Sequence, residues 1–401
     1  MHIAMIGQKG IPARMGGVER HVEEFSRRLC QLGFLVSVYS RAWYTGQKTA
    51  PDDQAGLRSI HLPSLRTKHF DTITHTLFAT MHALRARVDV IHYHGVGPSL
   101  WSWLPRIFSP HTIVITTFHS LDRKHEKWGL IARLALRLGE WTACRFAHKT
   151  IAVSPTLKQY IRDVYNTEAL FIPNAVPAYT PIAATDQLAS WDLQAKKYFL
   201  AVCRLIPHKG VHHLINAYNR LCRAQKQPLD TKLVIVGDGH YTDRYVLRLR
   251  ALAAQNPNII FTGAQAGEPL AQLFSHAAAL IHPSDKEGLP LSVLEGMSYK
   301  LPVLVSDIPE HLHLIPSASF VFARGNAAAL AERLSWLLRE PKNHLAQAGA
   351  ENRARVRRDY DWDTAVTQLI SVYESAQSAD ITPNARVAPT PLLCGVKPDR
   401  P

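Results

Sequence analysis

The sequence predicts an α/β protein in which two doubly wound parallel sheets face each other across a cleft. Short apolar runs that end in Gly, Ser or Pro alternate with longer stretches of helical period along most of the chain, as in parallel strands joined by crossover helices. Each half opens with a strand, a loop, a helix and a second strand. At 401 residues, the chain is long enough for two cores of ordinary size.

Five strands are predicted in each half. The first half contains IAMIG, FLVSVYS, VDVIHYH, TIVITTF and TIAVS, and the second contains YFLAV, KLVIVGDG, IIFTG, AALIHPS and PVLVSD. The first crossover helix of each half has an apolar face, formed by Val18, Val22, Phe25 and Leu29 in one and by Leu214, Ala217, Tyr218 and Leu221 in the other.

A stretch without clear period, Pro173–Ser190, separates the halves and is typical of an interdomain linker. We therefore expect a first domain at residues 1–180 and a second that begins at 181. The last residues, 377–401, contain Pro and polar residues with little to bury, which predicts a flexible tail.

The charge and cysteine content narrow the class of protein. The net charge is +14; residues 1–180 carry 22 Lys and Arg against 12 Asp and Glu, and the remainder carries 24 against 20. A cationic first half suits phosphorylated ligands, anionic lipid or nucleic acid. Five scattered cysteines without a CxxC pair predict neither a disulfide framework nor a zinc ribbon. We expect a cytoplasmic protein, because the sequence also lacks a signal-peptide pattern and a long apolar run.

Two glutamates, Glu287 and Glu295, follow the strand candidate AALIHPS. Pro290 suits the first position of a helix that runs to about residue 299, so one carboxylate stands at the strand exit, the other lies one to two turns into the helix, and both can face the cleft. The amides of Gly288 and Leu289 lie at the start of this helix, where phosphate binds readily. Carboxylates suit sugar hydroxyls instead. Taken alone, a glutamate like Glu287 more often only complements a helix dipole, and one like Glu295 is more often a solvated surface acid.

Two cations, Arg204 and Lys209, lie in the loop after the first strand of the second half. A guanidinium and an ammonium at one strand exit suit a diphosphate and the negative charge that grows on it as its bond to carbon breaks. Alone, a pair of cations in a loop is more often simply solvated.

The motifs RLIPHKG, VIVGDG, FTG and HPSDKEGLPLSVLEGMSYKLPVLVSD, in this order, resemble glycosyltransferase family 4. This family contains retaining nucleotide-sugar enzymes of the GT-B fold, which has two Rossmann-like domains. The resemblance extends over about residues 1–374. In the first half, GQKGIPARMGGVERHVEEF and TTFHSLDRKHEKWG resemble a branch that contains rhamnosyl and other cell-surface polysaccharide transferases.

The resemblance implies roles for individual residues. Arg204 and Lys209 would bind the donor diphosphate, Glu295 the ribose, and Glu287 the transferred sugar, with help from the amides of Gly288 and Leu289. Gly16 and Gly17 would allow close approach to the diphosphate, and His119, with Asp122 nearby, would lie on the acceptor side. The second domain would end at 361, and a last helix, 362–376, would cross back to the first. Lys300, Ala175 and Gly296 depart from the family pattern.

The resemblance also implies transfer with retention and without a metal or other cofactor, since Arg204, Lys209 and helix dipoles would stabilise the leaving diphosphate. We favour departure and attack on the same face over a covalent step through Glu287. Zinc is disfavoured because His92 with His94, and His311 with His313, form pairs without a third ligand at useful spacing.

Alternatives remain at this level. The segments SLWSWLPRIF and KWGLIARLALRLGEWTACRF combine Trp, Leu and Arg, which indicates either ordinary core helices or a peripheral face on an anionic membrane near a lipid-linked acceptor. The protein could also be a nucleotide-sugar 2-epimerase of similar fold, or a non-catalytic nucleic-acid-binding protein, although no motif for nucleic acid is present.

Overall fold

The structure is a computed structural model that describes residues 1–13, 16–45, 55–67, 70–121, 123, 129–225, 227–239 and 242–381. The described residues form two parallel α/β sheets, as the sequence predicts. The first sheet consists of β1 (His2–Ile6), β2 (Leu35–Arg41), β3 (Leu57–Leu62), β4 (Val90–His94), β5 (Ile113–Phe118), β6 (Lys149–Ala152) and β7 (Leu170–Phe171), and the second of β8 (Tyr198–Val202), β9 (Lys232–Val236), β10 (Ile259–Gly263), β11 (Ala279–His282), β12 (Val303–Ser306) and β13 (Val321–Phe322).

Helices connect the strands on both faces. They are α1 (Gly17–Gln31), α2 (Ala42–Thr45), α3 (Phe70–Arg85), α4 (Trp103–Phe108), α5 (Leu130–Arg145), α6 (Pro155–Tyr165), α7 (Asp186–Ala189), α8 (Val211–Ala224), α9 (Asp243–Ala253), α10 (Gly267–His276), α11 (Leu291–Ser298), α12 (Pro309–Leu314), α13 (Ala327–Arg339), α14 (Lys342–Asp359) and α15 (Trp362–Ile381). None of the helices in these described ranges is both long and apolar enough to cross a membrane.

In both sheets the order in which the chain adds strands reverses at the centre. The strand orders are β3-β2-β1-β4-β5-β6-β7 and β10-β9-β8-β11-β12-β13, so the chain winds outward in one direction and then in the other. The reversal points lie between β1 and β4 and between β8 and β11. In open parallel sheets, ligands bind beyond the carboxyl ends of the strands at such points. The topology therefore predicts a ligand site at the loops after these four strands.

All ten predicted strands are present, but the sequence missed β3, β7 and β13. All three are edge strands. Strands β7 and β13 are only two residues long and β3 is mostly half-buried, so none has a long apolar run. The predicted apolar face of α1 is correct for Val22, Phe25 and Leu29, which are buried. It is wrong for Val18, which is half-buried and lines the cleft.

The last helix, α15, packs on the first sheet, where Trp362, Val366 and Leu369 share a buried cluster with Ile3 and Met5. It extends to Ile381, beyond the end at 376 predicted for this helix and into the segment predicted to be a flexible tail, which stays a prediction. The remainder of that predicted tail, 382–401, lies outside the described residues.

A buried histidine in the first domain makes stability depend on pH. His75 on α3 is fully buried, and this burial, with Arg41 nearby, lowers the pKa of His75 from 6.5 to about 4. Because the folded pKa lies below the unfolded one, the unfolded chain takes up a proton first as the pH falls. The stabilisation is thus present above about pH 6.5 and is lost toward pH 4.

We expect His75→Leu to flatten the pH dependence of the free energy of unfolding. Between pH 6.5 and pH 4 the wild type should lose up to about 1.4 kcal/mol per pH unit more than the variant, measured by urea denaturation. The matched control is His111→Leu at an exposed histidine, which should leave the slope unchanged. Parallel curves for wild type and His75→Leu would contradict the assignment.

Candidate functional site

A cavity of about 1160 Å³ lies between the two domains and is bordered by the loops after the central strands. Nine of the ten site residues predicted from the sequence line this one cavity. They are Gly16, Gly17, His119, Arg204, Lys209, Glu287, Gly288, Leu289 and Glu295. The tenth, Asp122, lies outside the described residues. The structure thus brings together predicted site residues from both halves of the chain.

Glu287 is held by two partners from separate elements. The Lys209 ammonium donates to both carboxylate oxygens at 2.6 and 2.8 Å, and His282 Nε2 lies 2.8 Å from Oε1. Burial opposes ionisation of Glu287, but Lys209 and the hydrogen bond from His282 outweigh it and hold the pKa of this carboxyl well below 4.5. An ionised carboxylate only accepts hydrogen bonds, so His282 Nε2 must carry the proton. Glu287 is therefore a fixed anion at neutral pH.

The helix α11 that follows Glu287 begins one residue later than predicted, because Pro290 is its N-cap residue and not its first helical residue. The two departures from the family pattern at this helix have structural reasons. A Cβ on Gly296 would lie 2.5 Å from Leu280 Cδ2, so glycine permits close packing of the helix on β11. Lys300 adopts a φ of 62°, the left-handed conformation that a glycine would have at the helix end.

Glu295 on α11 contacts the first domain through Arg20 on α1. The Arg20 guanidinium donates to Glu295 Oε1 and to the Tyr179 hydroxyl. Burial raises the pKa of Glu295, and the charge of Arg20 acts in the opposite direction. The predicted ribose ligand is therefore paired with a cation from the opposite domain in this structure.

The linker that carries Tyr179 is fixed to the second domain. The Tyr179 amide donates to Ser298 Oγ at 3.0 Å, and that hydroxyl donates to the Pro177 carbonyl at 2.9 Å. The rings of Tyr179 and Tyr299 stack with centroids 4.9 Å apart. These contacts hold the linker against α11 at one end of the cleft.

The glycines of the site lie where backbone segments approach closely. Gly16 has a φ of 105°, which side chains other than glycine rarely adopt. A Cβ on Gly17 would lie 3.3 Å from Leu291 Cδ1 of the second domain, and a Cβ on Gly288 would lie 1.9 Å from the carbonyl oxygen of His119 in the first. The two domains therefore contact each other through backbone at the centre of the cleft.

Arg204 lies in the loop after β8 with an exposed side chain in the cleft. The loop packs directly against Gly237, because a Cβ on that residue would lie 1.8 Å from the carbonyl oxygen of Cys203. Arg204 and Glu287 open into the same cavity, at neighbouring strand exits. Cations and carboxylates are thus placed where a diphosphate and the hydroxyls attached to it could be bound together.

The prediction that these histidines lack a third potential metal ligand nearby is wrong for His94 and His311. His94 meets His119 and His21, and His311 meets His282 and Glu287, with the potential ligand atoms of each set within 4.8 Å of one another. The third members come from separate elements, so spacing along the chain does not reveal them. Lys209 occupies both oxygens of Glu287, which disfavours a cation in the second set.

Sequence reasoning also missed Arg20, Tyr179 and His282. The signal for Arg20 was its place in GGVERH, next to the predicted glycines, but its partner lies 275 residues away. Tyr179 lay in a segment interpreted only as a linker. His282 lay in the HPSDKEG motif itself and was interpreted as part of a strand.

Two family models match the chain. One, described as Glycosyl transferases group 1, matches residues 186–355, and one described as Glycosyltransferase Family 4 matches residues 15–178. A glycogen synthase of Mycobacterium tuberculosis (strain CDC 1551 / Oshkosh) is 27% identical, with all of both chains covered. A phosphatidyl-myo-inositol mannosyltransferase of Mycobacterium leprae is 26% identical over 91% of this chain and 94% of its own.

The fold also resembles solved structures. A crystal structure of the Anabaena protein Alr3699/HepE in complex with UDP superposes with a TM-score of 0.75, covering 94% of this chain and 100% of that one, at 18% sequence identity. At this level of identity the likeness concerns the fold alone. It agrees with the two facing parallel sheets described above.

Proposed function

Because the chain belongs to the family 4 glycosyltransferases, we propose that it moves a sugar, with retention, from a nucleotide-diphosphate-sugar to a hydroxyl of a glycan or lipid-linked acceptor in cell-surface polysaccharide biosynthesis. The observation that carries the proposal is the convergence of the two cations, Arg204 and Lys209, with Glu287 and Glu295 in one interdomain cavity. We further propose that the protein acts in the cytoplasm.

The cations bind the leaving group in this proposal. Lys209 has three N–H donors and uses two of them on Glu287, so one remains for a diphosphate oxygen. The exposed Arg204 guanidinium binds the diphosphate through two parallel hydrogen bonds. The amides of Gly288 and Leu289 lie just before α11 and add dipoles. Fixed cations and amides stabilise the charge that develops as the bond between sugar and phosphate breaks, without a divalent ion.

The environment of Glu287 supports the same-face route over a covalent intermediate. Both of its oxygens already accept hydrogen bonds, and its low pKa marks a weak nucleophile. Glu287 instead binds hydroxyls of the transferred sugar, and Glu295 binds the ribose. His119, on the first-domain wall of the cavity, lies on the acceptor side, and Asp122 remains its predicted neighbour.

The named relatives support the choice of substrates. The Anabaena structure holds UDP, which favours a nucleotide-sugar donor. The names of the two mycobacterial relatives refer to a polysaccharide and to an inositol lipid, which favours a glycan or lipid-linked acceptor.

The experiment is a panel of UDP-, GDP- and dTDP-sugars with candidate acceptors. We expect release of a nucleoside diphosphate, a product whose anomeric configuration by NMR equals that of the donor, and full activity after treatment with EDTA. Inversion, or activity that disappears with EDTA and returns with Mg²⁺, would contradict the mechanism. Epimerisation of the donor without acceptor would identify the alternative enzyme.

We also propose peripheral contact between α5 and an anionic membrane. Five large apolar side chains of this helix are exposed: Leu130, Ile131, Leu134, Leu138 and Trp141. Their exposed fractions range from 87% at Ile131 to 44% at Trp141. Arginines 133 and 137 lie exposed among them. Apolar side chains interleaved with cations are typical of helices that lie in the headgroup region of anionic bilayers.

We expect the double change Ile131→Glu and Leu134→Glu to abolish co-sedimentation with vesicles that contain anionic lipid. Leu247→Glu is the control, since Leu247 is 67% exposed on α9 of the other domain. This variant should bind vesicles as the wild type does. Binding of the wild type should weaken at high salt. Equal binding by the double variant would refute the assignment of this face.

A further inference from the structure

Three histidines meet at the first-domain wall of the cleft. His21 lies on α1, His94 ends β4 and His119 follows β5, and their exposures are 4%, 2% and 8%. His94 Nδ1 and His119 Nε2 are 3.2 Å apart, and one nitrogen of each of the three residues lies within 4.8 Å of the others. Neighbouring strands β4 and β5 and helix α1 thus each bring one histidine to the same point.

We propose that His21, His94 and His119 form a binding site for a divalent ion of the zinc class, and that the bound ion inhibits sugar transfer by engaging His119. The binding part of the proposal stands on the cluster alone. The inhibitory part rests on the proposed function, because it assumes that His119 faces the acceptor.

The spacing of the cluster fits tetrahedral coordination. Two imidazole nitrogens that share one tetrahedral Zn²⁺, each about 2.0–2.1 Å from it, lie roughly 3.3 Å apart. The hydrogen-bonded nitrogens of His94 and His119 already lie close to this separation, at 3.2 Å. The ring of His21 stands edge-on to that of His119 with centroids 4.7 Å apart, and one of its nitrogens lies within 4.8 Å of the other two potential ligand atoms.

The ligand chemistry selects the ion. Three imidazoles without a carboxylate among them suit Zn²⁺, Cu²⁺, Ni²⁺ and Co²⁺ and disfavour Mg²⁺ and Ca²⁺, which bind oxygen. Burial lowers the pKa of His21 to about 4, and burial with neighbouring histidines lowers the pKa of His94 and His119 well below 6.5. All three are therefore neutral at pH 7, as metal ligation requires. His94 Nδ1 and His119 Nε2 share a hydrogen bond in this structure, so an ion binds there as the shared proton moves to the other nitrogen of its ring.

Two further observations favour a ligand here. His21 Nδ1 is buried and has no hydrogen-bond partner among the described residues, and an unpaired buried polar atom is destabilising. A metal ion that draws the ring into coordination can relieve this. His119 lines the cleft, which gives an entry route and a direction from which water can supply a fourth ligand.

The set formed by His282, Glu287 and His311 serves as a contrast. It also gathers three potential ligands within 4.8 Å, but Lys209 places an ammonium on both oxygens of Glu287. A second cation there would face repulsion and would have to displace this bond. One site, not two, is expected.

The binding experiment uses the full chain, stripped with EDTA and titrated with Co²⁺. We expect one ion per chain with the intense visible absorption of tetrahedral cobalt, displaced by Zn²⁺ and not by Mg²⁺. His21→Gln and His94→Gln should each weaken binding about tenfold or more. His311→Gln, in the contrasting set, and His213→Gln, outside both, should bind as the wild type does. No tetrahedral cobalt, or binding that is unchanged in both His21→Gln and His94→Gln, would overturn the site.

The inhibition experiment compares turnover with and without Zn²⁺ for each variant, so that differences in basal rate cancel. We expect Zn²⁺ to lower wild-type transfer at least tenfold, EDTA to restore it, and His94→Gln to lose this sensitivity. An unchanged ratio in the wild type would overturn the inhibitory part. The cobalt spectrum does not depend on activity, so an inactive protein that still binds one tetrahedral Co²⁺ would refute the proposed function and leave the metal site standing.

Discussion

Lys209→Ala is expected to lower sugar transfer by about 10²–10³-fold, the usual effect of removing one preorganised donor from a developing anion. The Lys209 ammonium lies 2.6 and 2.8 Å from the oxygens of Glu287, with its side chain only 14% exposed. In the proposed mechanism, its loss removes a cation from the leaving diphosphate and releases Glu287 at the same time. Turnover with the best donor of the panel measures the effect.

Stability must be separated from catalysis in this variant. Removing one partner of a buried pair costs about 3–5 kcal/mol when the other remains charged, although His282 still binds Glu287 here. The double change Lys209→Met and Glu287→Gln removes both charges and should unfold closer to the wild type, yet remain inactive. Lys197→Ala is the surface control, since Lys197 is paired with an exposed Asp230 away from the cavity and should retain full activity. Near-normal transfer by Lys209→Ala would remove the cation from the mechanism.

The central strands of both sheets could be predicted because they are buried on both faces and appear as continuous apolar runs. Strand β3 could not, since Arg58 and His61 interrupt its apolar residues in a half-buried strand at the sheet edge. The end of the last helix differs from the predicted one for a different reason. The residues after 376 have little to bury, yet α15 continues through them to Ile381.

The candidate site could be predicted where it depends on strand exits. Because the carboxyl ends of parallel strands meet at one edge, Arg204 and Glu287 were expected to lie close together, and they line the same cavity. Contacts between domains could not be predicted in this way. Arg20 and Glu295 are 275 residues apart, and neither spacing nor composition indicates which helix faces which across a cleft. The histidine cluster was missed likewise, since its members come from three elements.

Gly288→Ala is expected to lower transfer about 100-fold while each domain stays folded. A Cβ at this position would lie 1.9 Å from the carbonyl oxygen of His119 and 3.0 Å from its carbonyl carbon, and both are backbone atoms that cannot rotate away. Gly288 does not have a positive φ, so the effect is a clash between domains and not backbone strain. The added methyl group must push the two walls apart by more than 1 Å, and misplacement on that scale can cost about 10²-fold in rate.

The comparison that isolates this clash is Gly129→Ala. Gly129 has a φ of −71° and no atom within 4 Å of an added Cβ, so alanine there should leave transfer unchanged. The thermal midpoint of Gly288→Ala should stay near that of the wild type, because Gly288 meets the other domain and not its own core. Activity within about twofold of the wild type would mean that the contact between Gly288 and His119 is not part of the working conformation. A loss with intact folding would instead show that transfer requires the two domains to close until their backbones touch at this point.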